Sequence, residues 1–172
     1  SWAIFNLSDC YIATSQALLD SCKKSGLALE KYTFIPNCVD TNQFSRLKME
    51  EKNRLRMKMG YAKNDFLLLF VGHFSSDKQP MILYEAWKII KESKIQVKLI
   101  FIGKTSSHYE VDPKIITRIK SDAQNKELLS EISFIEQTNE VEKYMQISDL
   151  YIQPSKREGL PNAMLEAMSC SL

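Results

Sequence analysis

The sequence predicts an α/β protein in which a parallel sheet is covered by helices on both faces. Strand-like apolar runs alternate along the chain with segments of helical periodicity, as in repeated β-α-β units. The runs Leu67–Val71 and Leu99–Ile102 are continuously apolar, and a glycine follows each of them. Such runs are typical of strands buried on both faces. Right-handed crossovers would then place a helical layer on each face.

Composition excludes several classes of protein. The 172 residues are 44% hydrophobic and 26% charged, which fits one globular domain or one domain with a piece of another. A net charge of +2 argues against a strongly basic nucleic-acid binder and an acidic tail. The sequence shows no membrane span and no signal-peptide pattern. Four cysteines without a Cys-x-x-Cys pair predict reduced thiols in a cytoplasmic protein, and no metal site.

The first part of the chain carries two predicted strands and one helix. The strands are the apolar run Cys10–Thr14 and the β-rich run Lys31–Ile35, which a Pro-Asn pair ends. Between them, Ser15 is expected to cap a helix over Gln16–Lys24, and Gly26 to stop it.

The rest of the chain begins with a charged segment and continues as alternating strands and helices. The charged segment up to Met59 predicts a helix with Leu47, Leu55 and Met59 facing inward. Strands are then predicted at 67–71, 97–102, 132–135 and 150–152. Helices are predicted after Pro80, around Ile115–Ile119, at about 140–145 and from about Pro161.

Small and polar residues follow most of these strands. Ligands of open parallel sheets bind at the carboxyl ends of the strands, so these residues predict a polar ligand at one sheet edge. They are Thr14-Ser15, Pro36-Asn37, Gly72-His73-Phe74, Gly103-Lys104-Thr105, Glu136-Gln137-Thr138 and Pro154-Ser155.

The loop after the last strand is the most informative of these segments. Pro161 suits the first turn of a helix, and Gly159 lets the backbone approach a ligand closely. The free N–H groups of such a helix start favour a phosphate. Glu158 and Glu166, eight positions apart, would repel a diphosphate, so we expect them to accept hydrogen bonds from sugar and ribose hydroxyls. A helix-capping Glu158 and a solvated Glu166 are the structural alternatives.

Two residues near the end of the 67–71 strand are candidate phosphate ligands. Lys78 could neutralise a phosphate at the same sheet edge, and His73 could donate a hydrogen bond to it. The alternatives are a solvated lysine and a loop histidine without a ligand.

Four motifs in order resemble the donor-binding half of GT-B glycosyltransferases of the family-4 type. Ile35–Asp40 with Phe44 is similar to that family's I-P-N-G-V-D…F segment. Phe70–His73 with Lys78 is similar to its V-G-R…K-G loop, and Leu99–Gly103 to its strand ending in glycine. Pro154–Met168, with Glu158 and Glu166, resembles its E-x7-E signature.

This resemblance implies a Rossmann-like parallel sheet with helices on both faces, as in a truncated GT-B donor-binding domain. Residues 1–45 would be the end of an N-terminal acceptor-side domain together with the interdomain segment. Residues 46–172 would be a C-terminal nucleotide-sugar-binding domain that is incomplete at its C-terminus. The chain by itself is therefore expected to be inactive.

The resemblance also implies a role for each matching residue. Lys78 and Glu158 would be catalytic, Lys78 on the donor diphosphate and Glu158 on the transferred sugar near the reacting carbon. Gly72 would give the diphosphate room, the backbone around Gly159 would bind it, and Glu166 would hold the ribose. The implied donor-binding set is Gly72, His73, Lys78, Glu158, Gly159, Leu160, Pro161, Asn162 and Glu166.

The implied activity is transfer of a sugar from a nucleoside diphosphate-sugar to a hydroxyl of a glycan, lipid-linked or protein acceptor. The family usually retains anomeric configuration and uses no metal, so no cofactor is expected. Nucleic acid is not an expected partner, and the full-length protein could sit at the cytoplasmic face of a membrane.

Three departures from the family pattern bear on this expectation. His73 stands where arginine is usual, and Cys38 and Gln79 stand where glycine is usual. They put activity and donor fit in doubt, so a non-catalytic nucleotide-sugar-binding module is the alternative. A scaffold related to nucleotide-sugar epimerases is a third possibility, although an ordinary dinucleotide fold would show an early G-x-G-x-x-G.

Overall fold

The computed structural model describes residues 8–26, 29–93, 95–105 and 110–172. Within these ranges the chain forms six strands and six α-helices, with short 3-10 turns at Leu29–Lys31 and Leu129–Glu131. The strands are β1 Tyr11–Ala13, β2 Tyr32–Phe34, β3 Phe66–Val71, β4 Val97–Ile102, β5 Ile132–Ile135 and β6 Leu150–Tyr151. The helices are α1 Gln16–Lys24, α2 Met49–Lys58, α3 Pro80–Glu92, α4 Pro113–Asn125, α5 Val141–Ile147 and α6 Asn162–Ser169.

All strand pairs in the described ranges are parallel. β1 and β2 form a two-stranded sheet, and the other strands form a four-stranded sheet in the order β5-β4-β3-β6. The register pairs Leu68 with Leu99 across the centre and with Leu150 towards the β6 edge. The predicted α/β class with a parallel sheet is confirmed.

Side chains of β3 alternate between two apolar layers. Leu68 and Phe70 pack in the layer that contains helices α3 and α4, whereas Leu67 and Leu69 pack in the layer that contains α2, α5 and α6. Successive side chains of a strand point to opposite faces, so a continuous apolar run fills both layers. The predicted helices on both faces are therefore present.

Helix α3 shows how the layers are held. Its residues Leu83, Tyr84 and Trp87 are buried, and the Trp87 indole N–H donates to the carbonyl of Val97 over 3.0 Å. Burying one such large side chain contributes about 1.5–3 kcal/mol. The layer therefore fixes β4 beside β3, and with it the positions of the loops that follow both strands.

The start of helix α2 differs from the prediction. The helix begins at Met49, so Leu47 lies before it and not on its inner face. Leu55 and Met59 do pack against the core as expected. A local capping interaction sets the boundary, because the backbone N–H of Lys48 donates to the Glu51 carboxylate over 3.2 Å.

An ion cluster anchors α2 in a way that the apolar pattern did not reveal. The Arg56 guanidinium, 4% exposed, lies 2.6 Å from Asp149 and also donates to the carbonyl of Ile147. Asp149 accepts further bonds from Lys52 and from the backbone N–H of Leu67. Burial by itself would raise the pKa of Asp149, but these three donors outweigh burial and lower it. The cluster joins α2 to the ends of β3 and β6.

Among the helices that the structure describes, none is both long enough and apolar enough to cross a membrane.

Candidate functional site

The strand order places two of the predicted site loops side by side. β4 and β5 extend the sheet on one side of β3, whereas β6 pairs on its other side. Such a change of direction opens a crevice at the carboxyl ends of the strands. Residues 72–79 follow β3, residues 152–161 follow β6, and the Lys156 N–H donates to the carbonyl of Asp77 over 2.8 Å.

Lys78 and Glu158, which are 80 positions apart in sequence, meet in this crevice. The Lys78 ammonium lies 2.6 Å from the Glu158 carboxylate, and the two side chains are 32% and 24% exposed. Burial alone would raise the pKa of Glu158, but interactions led by the hydrogen bond and charge of Lys78 outweigh burial and lower the pKa. No side chain caps α6, so Glu158 is not a capping residue.

Two glycines allow the turns after β3 and β4 to approach each other. A β-carbon on Gly103, where φ is +156°, would lie 1.9 Å from the carbonyl oxygen of Gly72. A β-carbon on Gly72 would lie 3.1 Å from the Phe70 ring and 3.8 Å from Cγ of Lys78. His73 follows with a half-buried side chain, and its carbonyl accepts from the Ser75 N–H. The turn at Gly72 therefore lies beside the Lys78 side chain.

The departure at Gln79 has a structural consequence. Gln79 caps α3 in the left-handed conformation, with φ 52° and ψ 44°. That conformation costs a non-glycine residue about 1–2 kcal/mol, which explains why glycine suits this position. Its N–H donates to the carbonyl of Ser75, and the Ser75 hydroxyl accepts from the Lys78 N–H. The turn thus keeps its shape with glutamine.

The backbone before α6 presents free donors beside the ion pair. No hydrogen bond within the described parts of the chain uses the N–H groups of Gly159 or Leu160. Pro161 is the N-cap residue rather than part of the first turn, and Asn162 opens the helix. Free N–H groups at the positive end of a helix favour an anion, so this segment can hold a phosphate.

The first part of the chain contacts the same loop. The Asn37 side-chain amide donates to the carbonyl of Leu160 over 2.9 Å. A β-carbon on Gly159 would lie 3.6 Å from the hydroxyl of Ser15, which caps α1 by accepting from the Leu18 N–H. Cys38 is exposed next to Asn37. The sequence placed Asn37 in a motif and at the carboxyl end of a strand, but it did not predict the contact with Leu160.

Glu166 lies within α6, apart from the Lys78–Glu158 pair. Its half-buried carboxylate has no hydrogen bond or ion pair among the described residues, and burial raises its pKa. Burial raises the pKa of the Tyr151 hydroxyl, and the negative charges of the nearby Glu158 and Glu166 raise it further. Glu166 therefore offers an unused acceptor on the same side of the sheet.

Tyr151 and Gln153 form a hydrogen-bonded pair at this edge that the sequence did not reveal. The Tyr151 hydroxyl donates to Oε1 of Gln153 over 2.7 Å. The sequence signal that could have identified Gln153 was its position, since it is a polar residue two positions after the end of β6. Across the described ranges, no three His, Cys, Asp or Glu side chains are grouped so that they could hold a metal ion.

Comparison with known families agrees with this geometry. The family described as glycosyl transferases group 1 matches residues 51–172. The chain belongs to the glycosyl transferases group 1 family. The match includes both loops of the crevice, and it supports the resemblance first seen in the E-x7-E segment.

Individual glycosyltransferases show how far the likeness extends. The chain is 28% identical over 144 residues to the Escherichia coli UDP-Gal:alpha-D-GlcNAc-diphosphoundecaprenol alpha-1,3-galactosyltransferase, covering 83% of this chain and 35% of that protein. It is 25% identical over 183 residues to alpha-galactosylglucosyldiacylglycerol synthase of Streptococcus pneumoniae, covering 98% of this chain and 44% of that protein. The chain thus spans less than half the length of these relatives.

A solved structure shows the same fold. HepE from Anabaena, in complex with UDP and glucose, superposes with a TM-score of 0.79 at 21% identity. The superposition covers 96% of this chain and 43% of HepE. The fold of this group 1 glycosyltransferase chain is therefore of the GT-B type. The division at residues 45 and 46 and the individual roles of the site residues stay predictions.

Proposed function

We propose that the protein to which this chain belongs transfers a sugar from a nucleoside diphosphate-sugar to an acceptor hydroxyl. The observation that carries the proposal is the meeting of Lys78 and Glu158, 2.6 Å apart, beside the free backbone donors before α6. A cation and N–H donors suit a diphosphate, and a carboxylate suits sugar hydroxyls. The crevice thus combines the two chemistries that a nucleotide-sugar requires.

Lys78 and the N–H groups of Gly159 and Leu160 would stabilise the departing diphosphate. Negative charge develops on this group as the bond to the sugar breaks, and fixed donors aimed at it lower the barrier. Once Lys78 turns to the diphosphate, Glu158 can accept hydrogen bonds from the sugar. Gly72 leaves room for the diphosphate because it has no side chain.

Glu166 would accept hydrogen bonds from the ribose diol. Its half-buried carboxylate has no competing hydrogen bond among the described residues. A hydrogen bond to a charged acceptor contributes about 1.5–3 kcal/mol. The group would therefore add substantially to nucleotide affinity.

We further propose retention of anomeric configuration, without a metal ion or a cofactor. The ammonium of Lys78 and the helix start would provide the charge stabilisation that a divalent cation provides elsewhere. The resemblance noted in the sequence supports the retaining stereochemistry.

A UDP-hexose is the proposed donor, and a glycan or lipid-linked hydroxyl the proposed acceptor. HepE was solved with UDP and glucose, and the Escherichia coli relative is named for UDP-galactose and a diphosphoundecaprenol-linked sugar. A lipid-linked acceptor would bring the full-length protein to the cytoplasmic face of a membrane.

The decisive experiment measures binding and transfer with the full-length protein. Thermal shift with UDP-, GDP- and ADP-hexoses identifies the donor, and an assay with a glycan or lipid-linked acceptor measures transfer with and without a chelator. We expect stabilisation by one nucleotide-sugar, chelator-resistant transfer and a product of unchanged anomeric configuration. Binding without transfer would favour the non-catalytic alternative. That alternative is considered because His73 stands where the family usually has arginine. Absence of binding would overturn both.

A further inference from the structure

The strap, residues 37–44 between β2 and α2, lies along helix α6. At its first residue, the Asn37 amide donates to the carbonyl of Leu160, just before the helix. At its last residue, the carbonyl of Phe44 accepts from the hydroxyl of Ser169, the final residue of α6. The strap therefore fastens α6 at both ends, and the helix between the two bonds has 8 residues, a length of about 12 Å.

The second half of the strap is a closed turn. The Asp40 carboxylate accepts from the N–H groups of Asn42 and Gln43 over 2.9 and 3.3 Å. The carbonyl of Asp40 accepts from the Phe44 N–H over 2.9 Å, and the carbonyl of Gln43 accepts from the Gln146 amide of α5. An aspartate that bonds the backbone a few residues on fixes a turn. The strap therefore has little slack between its two bonds to α6.

Helix α6 buries little apolar surface of its own. Its buried residue is Ala167, and Ala163 packs against the same apolar layer. Alanine side chains remove little apolar area from water, so they contribute less to fixing a helix than larger side chains do. Phe44, 9% exposed, packs in that layer and supplies a large side chain. The position of α6 therefore depends on the strap.

The proposed nucleotide ligands of this segment move together with α6. The N–H groups of Gly159 and Leu160 lie just before the helix, and Glu166 lies within it. Because hydrogen bonds keep the turns of a helix together, a shift of α6 would displace these groups as one body. A misplacement of about 1 Å by a change far from the chemistry is enough to cost activity.

We propose that the strap positions α6 for the nucleotide, with Ser169 as a positioning residue at the end remote from the crevice. The inference rests on the proposed function, because it takes the backbone donors before α6 and Glu166 as the nucleotide ligands. Ser169 does not need to touch the nucleotide. It acts through Phe44 and the strap, which holds the start of the helix through Asn37.

The first test measures nucleotide affinity in the full-length protein. Ser169→Ala removes the donor to the Phe44 carbonyl, and Ser169→Thr keeps a hydroxyl at the same place. We expect affinity for UDP by calorimetry to fall about fivefold in Ser169→Ala, the scale of one net hydrogen bond, and to stay within about twofold of wild type in Ser169→Thr. If thermal shift selects GDP or ADP, that nucleotide replaces UDP.

A matched control removes the same group elsewhere. Ser121→Ala deletes an exposed hydroxyl on α4 and should bind the nucleotide as wild type does. A Ser169→Ala protein with the affinity of the Ser121→Ala control would overturn the inference.

A double-mutant cycle separates a strap from two independent bonds. Asn37→Ala releases the end of the strap beside the crevice, whereas Ser169→Ala releases the other end. Substitutions at distant, independent sites have additive effects on free energy. If the strap acts as one unit, the double variant should bind the nucleotide within about twofold of the weaker single variant. Losses of affinity that multiply would show two separate bonds and would contradict the inference.

The second test needs no ligand. The N–H of Leu165 donates to the carbonyl of Pro161 over 3.3 Å in the first turn of α6. We expect Ser169→Ala to accelerate hydrogen exchange at Leu165 in the full-length protein, although the substitution lies at the other end of the helix. Exchange at Ile100 in the centre of β4 should change less, and Ser121→Ala should change neither. Equal acceleration at Ile100 would mean a general loss of stability, and the positioning role would then fail.

The two tests distinguish the inference from the proposed function. If the wild-type protein binds no nucleotide, the proposed function fails, yet exchange at Leu165 still shows whether the strap holds α6. Unchanged exchange in Ser169→Ala contradicts the strap whatever the affinity. If the wild-type protein binds and transfers but Ser169→Ala keeps its affinity, the proposed function stands and the inference fails.

Discussion

The ion pair between Lys78 and Glu158 balances the charges of the two side chains, and either partner can exchange it for another. Both side chains keep roughly a quarter to a third of their surface exposed, with values of 32% and 24%. Ion pairs with this much solvent access contribute only about 0–1 kcal/mol. The Lys78 ammonium can therefore move from Glu158 to a diphosphate at a small cost in free energy. The diphosphate would also accept hydrogen bonds from the backbone N–H groups before α6.

Replacing Lys78 should affect turnover strongly. We expect Lys78→Ala to lower kcat at least about tenfold, because the departing diphosphate loses its cation. Lys126→Ala is the control, since Lys126 is an exposed lysine at the C-terminal end of α4, outside the loops of the crevice. Steady-state kinetics with a nucleotide-sugar measures both variants, and a wild-type rate in Lys78→Ala would contradict the phosphate role.

Glu166 should give nucleotide affinity an acid-side dependence. Burial raises its pKa, so as pH falls the carboxylate is protonated earlier than an ordinary glutamate of pKa about 4.3. We expect Glu166→Gln to weaken nucleotide binding about tenfold at pH 8, and the difference from wild type to shrink as pH falls through the raised pKa. Protonation of the nucleotide phosphate changes the affinity of both proteins equally, so it cancels in the ratio of their affinities.

Calorimetry at several pH values measures this difference. Glu50→Gln removes a carboxylate from the exposed side of α2 and should bind as wild type does at every pH. A constant ratio of affinities between wild type and Glu166→Gln across the pH range would sink the ribose role.

At the scale of elements, α2 depends on ionic anchoring more than on apolar packing. Arg56 bonds to Asp149 and to the carbonyls of Ile147 and Lys63, which ties the helix to two other chain segments. Removing one member of such a partly buried cluster leaves the others without a partner in a poorly solvated place.

We expect Asp149→Asn to lower the free energy of unfolding by about 3 kcal/mol at pH 7. The pKa of Asp149 is lowered in the folded state, so its contribution is present above the unfolded pKa of about 4 and is lost as pH falls below that value. The stability gap between wild type and variant should therefore close in acid.

Urea unfolding at pH 7 and at pH 3 checks this expectation. Asp77→Asn is the control, because the Asp77 side chain is exposed and only its backbone carbonyl makes a bond to Lys156. If Asp149→Asn matches the control at pH 7, the cluster does not anchor the helix.

The strands and the proximity of the site loops were predictable because they follow from local pattern and from one general rule. Continuous apolar runs that end in Gly72 and Gly103 predicted β3 and β4, and the carboxyl-end rule predicted that Lys78 and Glu158 would share an edge. The start of α2 was not predictable from its charges, because capping by Glu51 decides it. Buried Arg56 was missed since arginine in a charged segment usually faces solvent.

Contacts that need the strand order or distant parts of the chain escaped sequence analysis for another reason. The bond from Tyr151 to Gln153 depends on side-chain orientation at the end of β6, which the residue types do not specify. The bond from Asn37 to Leu160 spans 123 positions. Neither local propensity nor spacing carries information about such a pair.

At the scale of the whole molecule, the segment after the smaller sheet contacts the loop that precedes α6. β1 and β2 belong to the smaller sheet, and the segment after β2 carries Asn37 to the Leu160 carbonyl. The N–H and the carbonyl of Leu160 belong to adjacent peptide units. Holding the carbonyl therefore helps to aim the neighbouring donors that we propose for the diphosphate.

Asn37→Ala should weaken donor binding without unfolding the protein. A net hydrogen bond contributes about 0.5–1.5 kcal/mol, so we expect nucleotide affinity to fall between about twofold and tenfold. Hydrogen exchange at Gly159 and Leu160 should accelerate in the same variant, because the loop loses its tie to the smaller sheet. Asn42→Ala changes an exposed asparagine five positions on and should do neither. If exchange at the loop is unchanged in Asn37→Ala, the bond does not order these donors, and any loss of affinity must arise elsewhere.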